Sequence, residues 1–132
     1  MRIQAEETLS DWPFSMPGPS PSVMDHQVQG VAVIDLTGPL VREMPVHVFR
    51  DRIQQLLDEG AKNFAINLTE VPYADSFGVG GLACAYNLIE EAGGRIKFFA
   101  ASERLIRTLE RLRLDTVFEL FEDEASALAS FH

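Results

Sequence analysis

Residues Tyr73-Ala74-Asp75-Ser76-Phe77-Gly78 set one hydroxyl between a carboxylate and an aromatic ring. Three kinds of chemistry fit it. As a nucleophile, Ser76 lies in A-D-S-F-G, one residue away from the G-x-S-x-G elbow, in which a serine stands on a sharp strand-to-helix turn. Ala74 replaces the first glycine. Such a serine needs a histidine later in the chain to take its proton, and only His132 follows it. A hydroxyl without a base is a weak nucleophile, and 132 residues are few for that fold. As a helix cap, either Asp75 or Ser76 can accept from backbone N–H groups that have no partner in the first turn. As a phosphate acceptor, the hydroxyl sits where a helix N-terminus tolerates an anion. Phosphate would add about -1.5 to -2 charges beside Asp75. Base and ATP would then come from a partner, so this chain would need neither. Local chemistry leaves capping and phosphorylation both open.

The joint is positioned by an apolar run before it, "FAINLTEV", and a glycine-rich apolar run after it, "GVGGLACAYNLIEEAGG". The first reads as a buried strand. The second reads as a helix with Val79, Leu82, Tyr86 and Ile89 in a stripe, stopped by Gly93-Gly94. Strands over "VMDHQV" and "VAVIDL" flank Gln29-Gly30, a hairpin turn. "VHVFRDRIQQLLDEG" is an amphipathic helix with Val46, Phe49, Ile53, Leu56 and Leu57 inward, Pro45 at its start and Gly60 at its end. "RIKFFAA" is a strand. Ser102 caps a helix over "ERLIRTLERLRL", with Leu105, Ile106, Leu109 and Leu112 inward. "VFELF" is a last strand and "DEASALASF" a last helix. This alternation predicts an α/β fold: a mixed sheet, mostly with parallel crossovers, backed by about four helices. Residues 1–22 carry four of the seven prolines and read as a flexible N-terminal tail, holding Trp12 and Phe14; residues 23–132 form the domain.

Composition narrows the function. A net charge of -9 without a basic block argues against nucleic acid and anionic membranes. No apolar run approaches the roughly 20 residues of a membrane span, and no secretory h-region is visible. A single cysteine, Cys84, permits no internal disulfide and reads as a buried small hydrophobe. His26, His47 and His132 do not fall at metal-ligand spacings. These features predict a cytoplasmic protein. Gly78, Gly80 and Gly81 lack a P-loop lysine and the dinucleotide spacing. They are read as small residues that let the helix start approach neighbouring backbone, which also makes that turn a candidate for mobility. Arg104, Arg107 and Arg111 line one helix face and are read as solvated. "FEDE" is read as solvent-facing charge at the start of the last helix.

The chain from about Met24 to Phe131 resembles a STAS domain of the anti-sigma factor antagonist family. The resemblance rests on "GVAVIDLTGPL", "INLTEVPYADSFGVGGLACAY" and "GGRIKFFAASERLIRTLERLRLDTVFELFEDEASALASF". The middle segment is the most specific, because the family carries its regulatory serine in D-S-[ST]-G-L, and that serine corresponds to Ser76. The resemblance implies a non-enzymatic binding module without cofactor or metal. Its unphosphorylated form binds an anti-sigma factor that is also a serine kinase, and so frees a sigma factor. Phosphorylation of Ser76 separates the pair and a PPM-type phosphatase resets it. Asp75, Phe77 and Gly78, with the loop Gly38, Pro39, Leu40 and Val41, correspond to the partner-binding face; homo-oligomerisation stays open. Two positions depart from the pattern. Phe77 replaces the usual second Ser or Thr, and Val41 replaces the carboxylate of a G-x-L-D loop. D-S-F also occurs in scaffold-type STAS subunits of stress-signalling complexes, and STAS-like accessory subunits occur in lipid-transport ABC complexes. Both stand as alternatives.

Overall fold

The computed structural model describes residues 22–41 and 46–132. The chain opens with a hairpin of β1 (Ser22–Val28) and β2 (Val31–Thr37), antiparallel from Val28↔Val31 out to Ser22↔Thr37. Its two-residue turn has positive φ at both Gln29 (54°) and Gly30 (81°), the form whose twist matches that of the flanking strands. There follow α1 (Val46–Asp58), β3 (Asn63–Glu70), α2 (Ser76–Glu91), β4 (Arg95–Phe99), α3 (Glu103–Arg111), β5 (Leu120–Phe121) and α4 (Glu124–Ala129). The sheet order is β1-β2-β3-β4-β5, and every pair after the hairpin is parallel. The expected mixed α/β sheet with four helices is thus observed.

Sheet order equals chain order, and this dictates where the helices go. Parallel crossovers are right-handed, so crossovers that all step the same way across a sheet put their helices on one face. Accordingly α1, α2 and α3 share a face. Ala32, Ile34 and Leu36 of β2, Phe64, Ile66 and Leu68 of β3, and Ile96 and Phe98 of β4 meet them there. The helices contribute Phe49, Ile53 and Leu56, then Val79, Leu82, Ala85 and Ile89, then Leu105 and Leu109. The alternate strand positions Val31, Val33, Ala65 and Phe99 point the other way, to Ala127, Leu128 and Phe131 at the chain's end. Burial on both faces is why β2 and β3 read as nearly unbroken apolar runs. On that second face the buried Lys97 Nζ donates to Glu119 Oε1 at 2.7 Å and lies near the rings of Phe121 and Phe131. Arg95 covers the Phe131 ring and donates to its carbonyl at 3.0 Å, which ties the chain's end to β4.

Several expectations need correction. The third helix ends at Arg111 rather than running on to Leu114. Leu112 is its C-cap and is 46% exposed, not inward. Arg113 then takes a left-handed φ of 62°, which turns the chain away before Leu112 can complete the apolar stripe. Thr108 occupies the buried position in its place. The strand expected over "VFELF" shrinks to Leu120–Phe121, because the N–H groups of Val117 and Phe118 both donate to the Leu114 carbonyl in a turn. That turn delivers Phe118 into the core, with its ring 4.5 Å from that of Phe98. Cys84 is half-buried rather than sealed. The tail expected over 1–22 lies outside the described residues except for Ser22, which already belongs to β1. Pro45 and the Val46 side chain also lie outside them. No helix among the described residues is long and apolar enough to cross a membrane.

The edge strand β1 is fastened to α1 by a two-pronged ion pair. Arg52 Nε donates to Asp25 Oδ1 at 2.7 Å and Nη2 to Oδ2 at 2.9 Å. The Arg52 hydrogen bond, more than its charge, holds the Asp25 carboxyl below the ordinary aspartate value of 3.8. The folded state therefore binds this proton less readily than the unfolded chain. The pair's contribution is complete above the unfolded value and is lost as pH falls through the lower folded one. Arg52→Met, which keeps an apolar stem, is expected to lower unfolding free energy by about 1 kcal/mol at neutral pH. Urea unfolding at a series of pH values should show the gap from wild type narrowing as pH drops below 3.8.

Candidate functional site

The site forms where β2 and β3 leave the sheet at the same end. The exit loop of β2 runs beside that of β3, and three backbone hydrogen bonds of 3.0 Å join them: Gly38 N–H to Glu70 O, Leu40 N–H to Tyr73 O, and Asp75 N–H to Leu40 O. Leu40 and Ala74 thus make an isolated parallel bridge beyond the sheet. The Leu40 side chain is buried in the main core, which anchors the loop from below.

The first helical residue of α2 is Ser76, and Asp75 is its N-cap. Asp75 is extended (φ -99°, ψ -175°), and its Oδ1 accepts from the Gly78 N–H at 2.9 Å. Capping therefore falls to the aspartate, and Ser76 faces solvent. Phe77 is 55% exposed, so its ring is not an inward-packing residue. Gly78 is buried against Leu40: a Cβ there would lie 1.8 Å from the Leu40 carbonyl oxygen and 2.4 Å from its carbon. Glycine is thus demanded by the neighbouring strand exit. Gly80 differs, since a Cβ on it would meet nothing within 4 Å.

On its other flank the joint touches α3. Ser102, N-cap of α3, accepts from Leu105 N–H at 3.1 Å and donates to the Pro72 carbonyl at 3.3 Å. The Arg104 guanidinium sits over the Tyr73 ring, 4.4 Å from its centre. Sequence reasoning took Ser102 only as a cap and Arg104 only as one of a solvated row. The paired start signals of α2 and α3, both just past parallel strand ends, were the available hint that the two starts adjoin. Of the residues expected on this face, Leu40 meets Ala74, Asp75 and Gly78 directly, Gly38 bonds Glu70 at the end of β3, and Pro39 and Val41 are partly exposed in the same loop. No histidine is delivered to Ser76 by the described side chains. His26 Nδ1 lies 3.2 Å from Asp35 Oδ2 on the sheet. His132 adjoins Phe131, which is held by Arg95 at the opposite end of the parallel strands. The hydrolase arrangement is not assembled among these residues.

The STAS domain family model matches residues 22–127. The chain belongs to the STAS domain family. Within it, this STAS chain is 32% identical over 73 residues to the anti-sigma-B factor antagonist of Bacillus subtilis; the aligned part is 55% of this chain and 66% of that protein. The fold is shared with an anti-sigma factor antagonist from Mycobacterium paratuberculosis (TM-score 0.74, 21% identity, 87% of this chain and 97% of that one). It is shared too with the Bacillus cell fate determinant SpoIIAA in its phosphorylated form (TM-score 0.65, 20% identity, 84% of this chain and all of that one).

Two glycines two residues apart should respond oppositely to the same change. Gly78→Ala is expected to destabilise the STAS domain by about 3 kcal/mol, because backbone must move to admit the methyl. Gly80→Ala is expected to stabilise it by up to about 1 kcal/mol, by restricting the unfolded chain and favouring helix. Chemical denaturation of both variants checks the pair.

Proposed function

We propose that this STAS protein is a cytoplasmic, non-enzymatic anti-sigma factor antagonist whose partner binding is switched at Ser76. Unphosphorylated, it binds an anti-sigma factor that is also a serine kinase. In that complex the Ser76 oxygen forms a bond to the γ-phosphorus of kinase-bound ATP. The bond to the β–γ bridging oxygen breaks, the hydroxyl proton passes to a kinase base, and ADP leaves. The phosphoserine then carries about -1.5 to -2 charges on the contact face, and the complex separates. A PPM-type phosphatase hydrolyses the ester and restores the hydroxyl.

One observation carries this reading: Ser76 is exposed at the first position of α2 while Asp75 does the capping. A serine relieved of capping duty keeps its oxygen available for transfer. The Bacillus subtilis relative, named for antagonism of an anti-sigma factor, and the fold shared with a phosphorylated determinant support it. Phe77, half exposed beside the acceptor, and the Pro39 and Val41 loop give the contact face an apolar character. The partner surface should match it with apolar side chains rather than with a base paired to a carboxylate at position 41.

Incubation with candidate serine kinases and ATP, followed by mass-spectrometric mapping, should place phosphate on Ser76 and lose it in Ser76→Ala. Ser76→Asp should bind the anti-sigma factor about tenfold or more weakly, about 1.4 kcal/mol, with an unchanged circular dichroism spectrum. Equal affinity of the folded acidic variant and wild type would defeat the switch.

A further inference from the structure

We infer that Arg104 is the residue that receives the phosphate on Ser76, so that α3 takes part in stabilising the phosphorylated state. The inference rests on the reading of Ser76 as the phosphoacceptor. Its basis is what surrounds the joint. Among the described residues, the side chains and backbone recorded against Pro72–Ala74 come from Leu40, Ser102 and Arg104. Of these only Arg104 carries charge, and its sign is opposite to that of a phosphate. Its guanidinium lies over the ring of Tyr73. Two residues, Ala74 and Asp75, separate Tyr73 from Ser76, at most about 11 Å of chain.

The details favour Arg104 over its neighbours on α3. Arg107 already pairs with Glu103 at 3.2 Å, so that carboxylate is engaged one turn away and does not hold Arg104. An arginine lying on an aromatic ring keeps its N–H edge for a further acceptor, and its planar fork matches two phosphate oxygens. The Ser102 hydroxyl bond to Pro72 keeps the start of α3 beside the joint, and in this proposal a change of side-chain rotamers turns Arg104 from Tyr73 toward position 76. The chain has a net charge of -9, and Asp75 stands next to the acceptor. A new dianion there is favoured by a cation nearby. On this view Tyr73 parks the arginine while Ser76 bears its hydroxyl, and phosphate draws it away.

The test installs phosphoserine at position 76 during translation, which needs no kinase, and follows the phosphate by phosphorus NMR across pH. A free phosphoserine has its second pKa near about 6. With Arg104 present, that pKa is expected to lie lower by about half a unit or more than in Arg104→Gln. Arg104→Lys should restore part of the difference, since it keeps the charge but not the fork. The same pKa in wild type and Arg104→Gln, both folded by circular dichroism, overturns the inference. It would do so even if kinases modify Ser76 normally. Conversely, a depressed pKa in a protein that no kinase modifies would uphold the arginine contact and sink the switch.

Discussion

Leu40 and Gly78 approach each other so closely that no methyl group fits between them, and the geometry of the joint follows from that approach. Three backbone hydrogen bonds hold the exit of β2 against the exit of β3, and the missing side chain at position 78 lets the first turn of α2 settle onto the Leu40 carbonyl. Asp75 is thereby held where its carboxylate can cap Gly78, and Ser76 is left exposed at the helix start. The Leu40 side chain, sunk in the main core, carries this arrangement down to the sheet. The loop of residues 38–41 and the start of α2 behave as one piece, which links residues that lie far apart in the chain.

The other flank is softer. Where the β2 side is joined by backbone, the α3 side is joined by a hydroxyl and a cation lying on a ring. Side-chain links of this kind can exchange partners without disturbing the sheet. Under the proposed switch, the asymmetry would give rigid scaffolding on one side of the acceptor and adjustable electrostatics on the other.

Much of this was legible in the sequence because the signals were local. Nearly unbroken apolar runs marked β2 and β3, period-3.6 patterns marked α1 and α2, and the Gln29-Gly30 turn fell where its positive φ values require it. The joint itself was marked by Asp75, Ser76 and the glycines. What was not legible depended on contacts distant in sequence. Nothing in "ADSFGVGG" distinguishes Gly78, crowded by Leu40, from Gly80, which faces open space. Asp75 and Ser76 are equally good caps in isolation, and only the loop's path decides between them. Leu112 matched an apolar stripe that the helix does not live to complete, because Arg113 turns the chain first. Phe118 looked like a strand residue but is a core plug carried in on a turn. Arg104 was read from its own helix, and its observed partner, Tyr73, lies in the loop between β3 and α2.

The identity of strand order and chain order has a further consequence, for how the polypeptide assembles. Each strand finds its partner in the segment made just before it, beginning with a hairpin whose ends are nearly adjacent. Loop-closure entropy stays modest at every step, and no strand has to be threaded between two that are already paired. Such a sheet can grow in one direction as the chain lengthens. Its earliest portion, β1 through α2, already holds both halves of the crowded joint, whereas the α3 flank is added later.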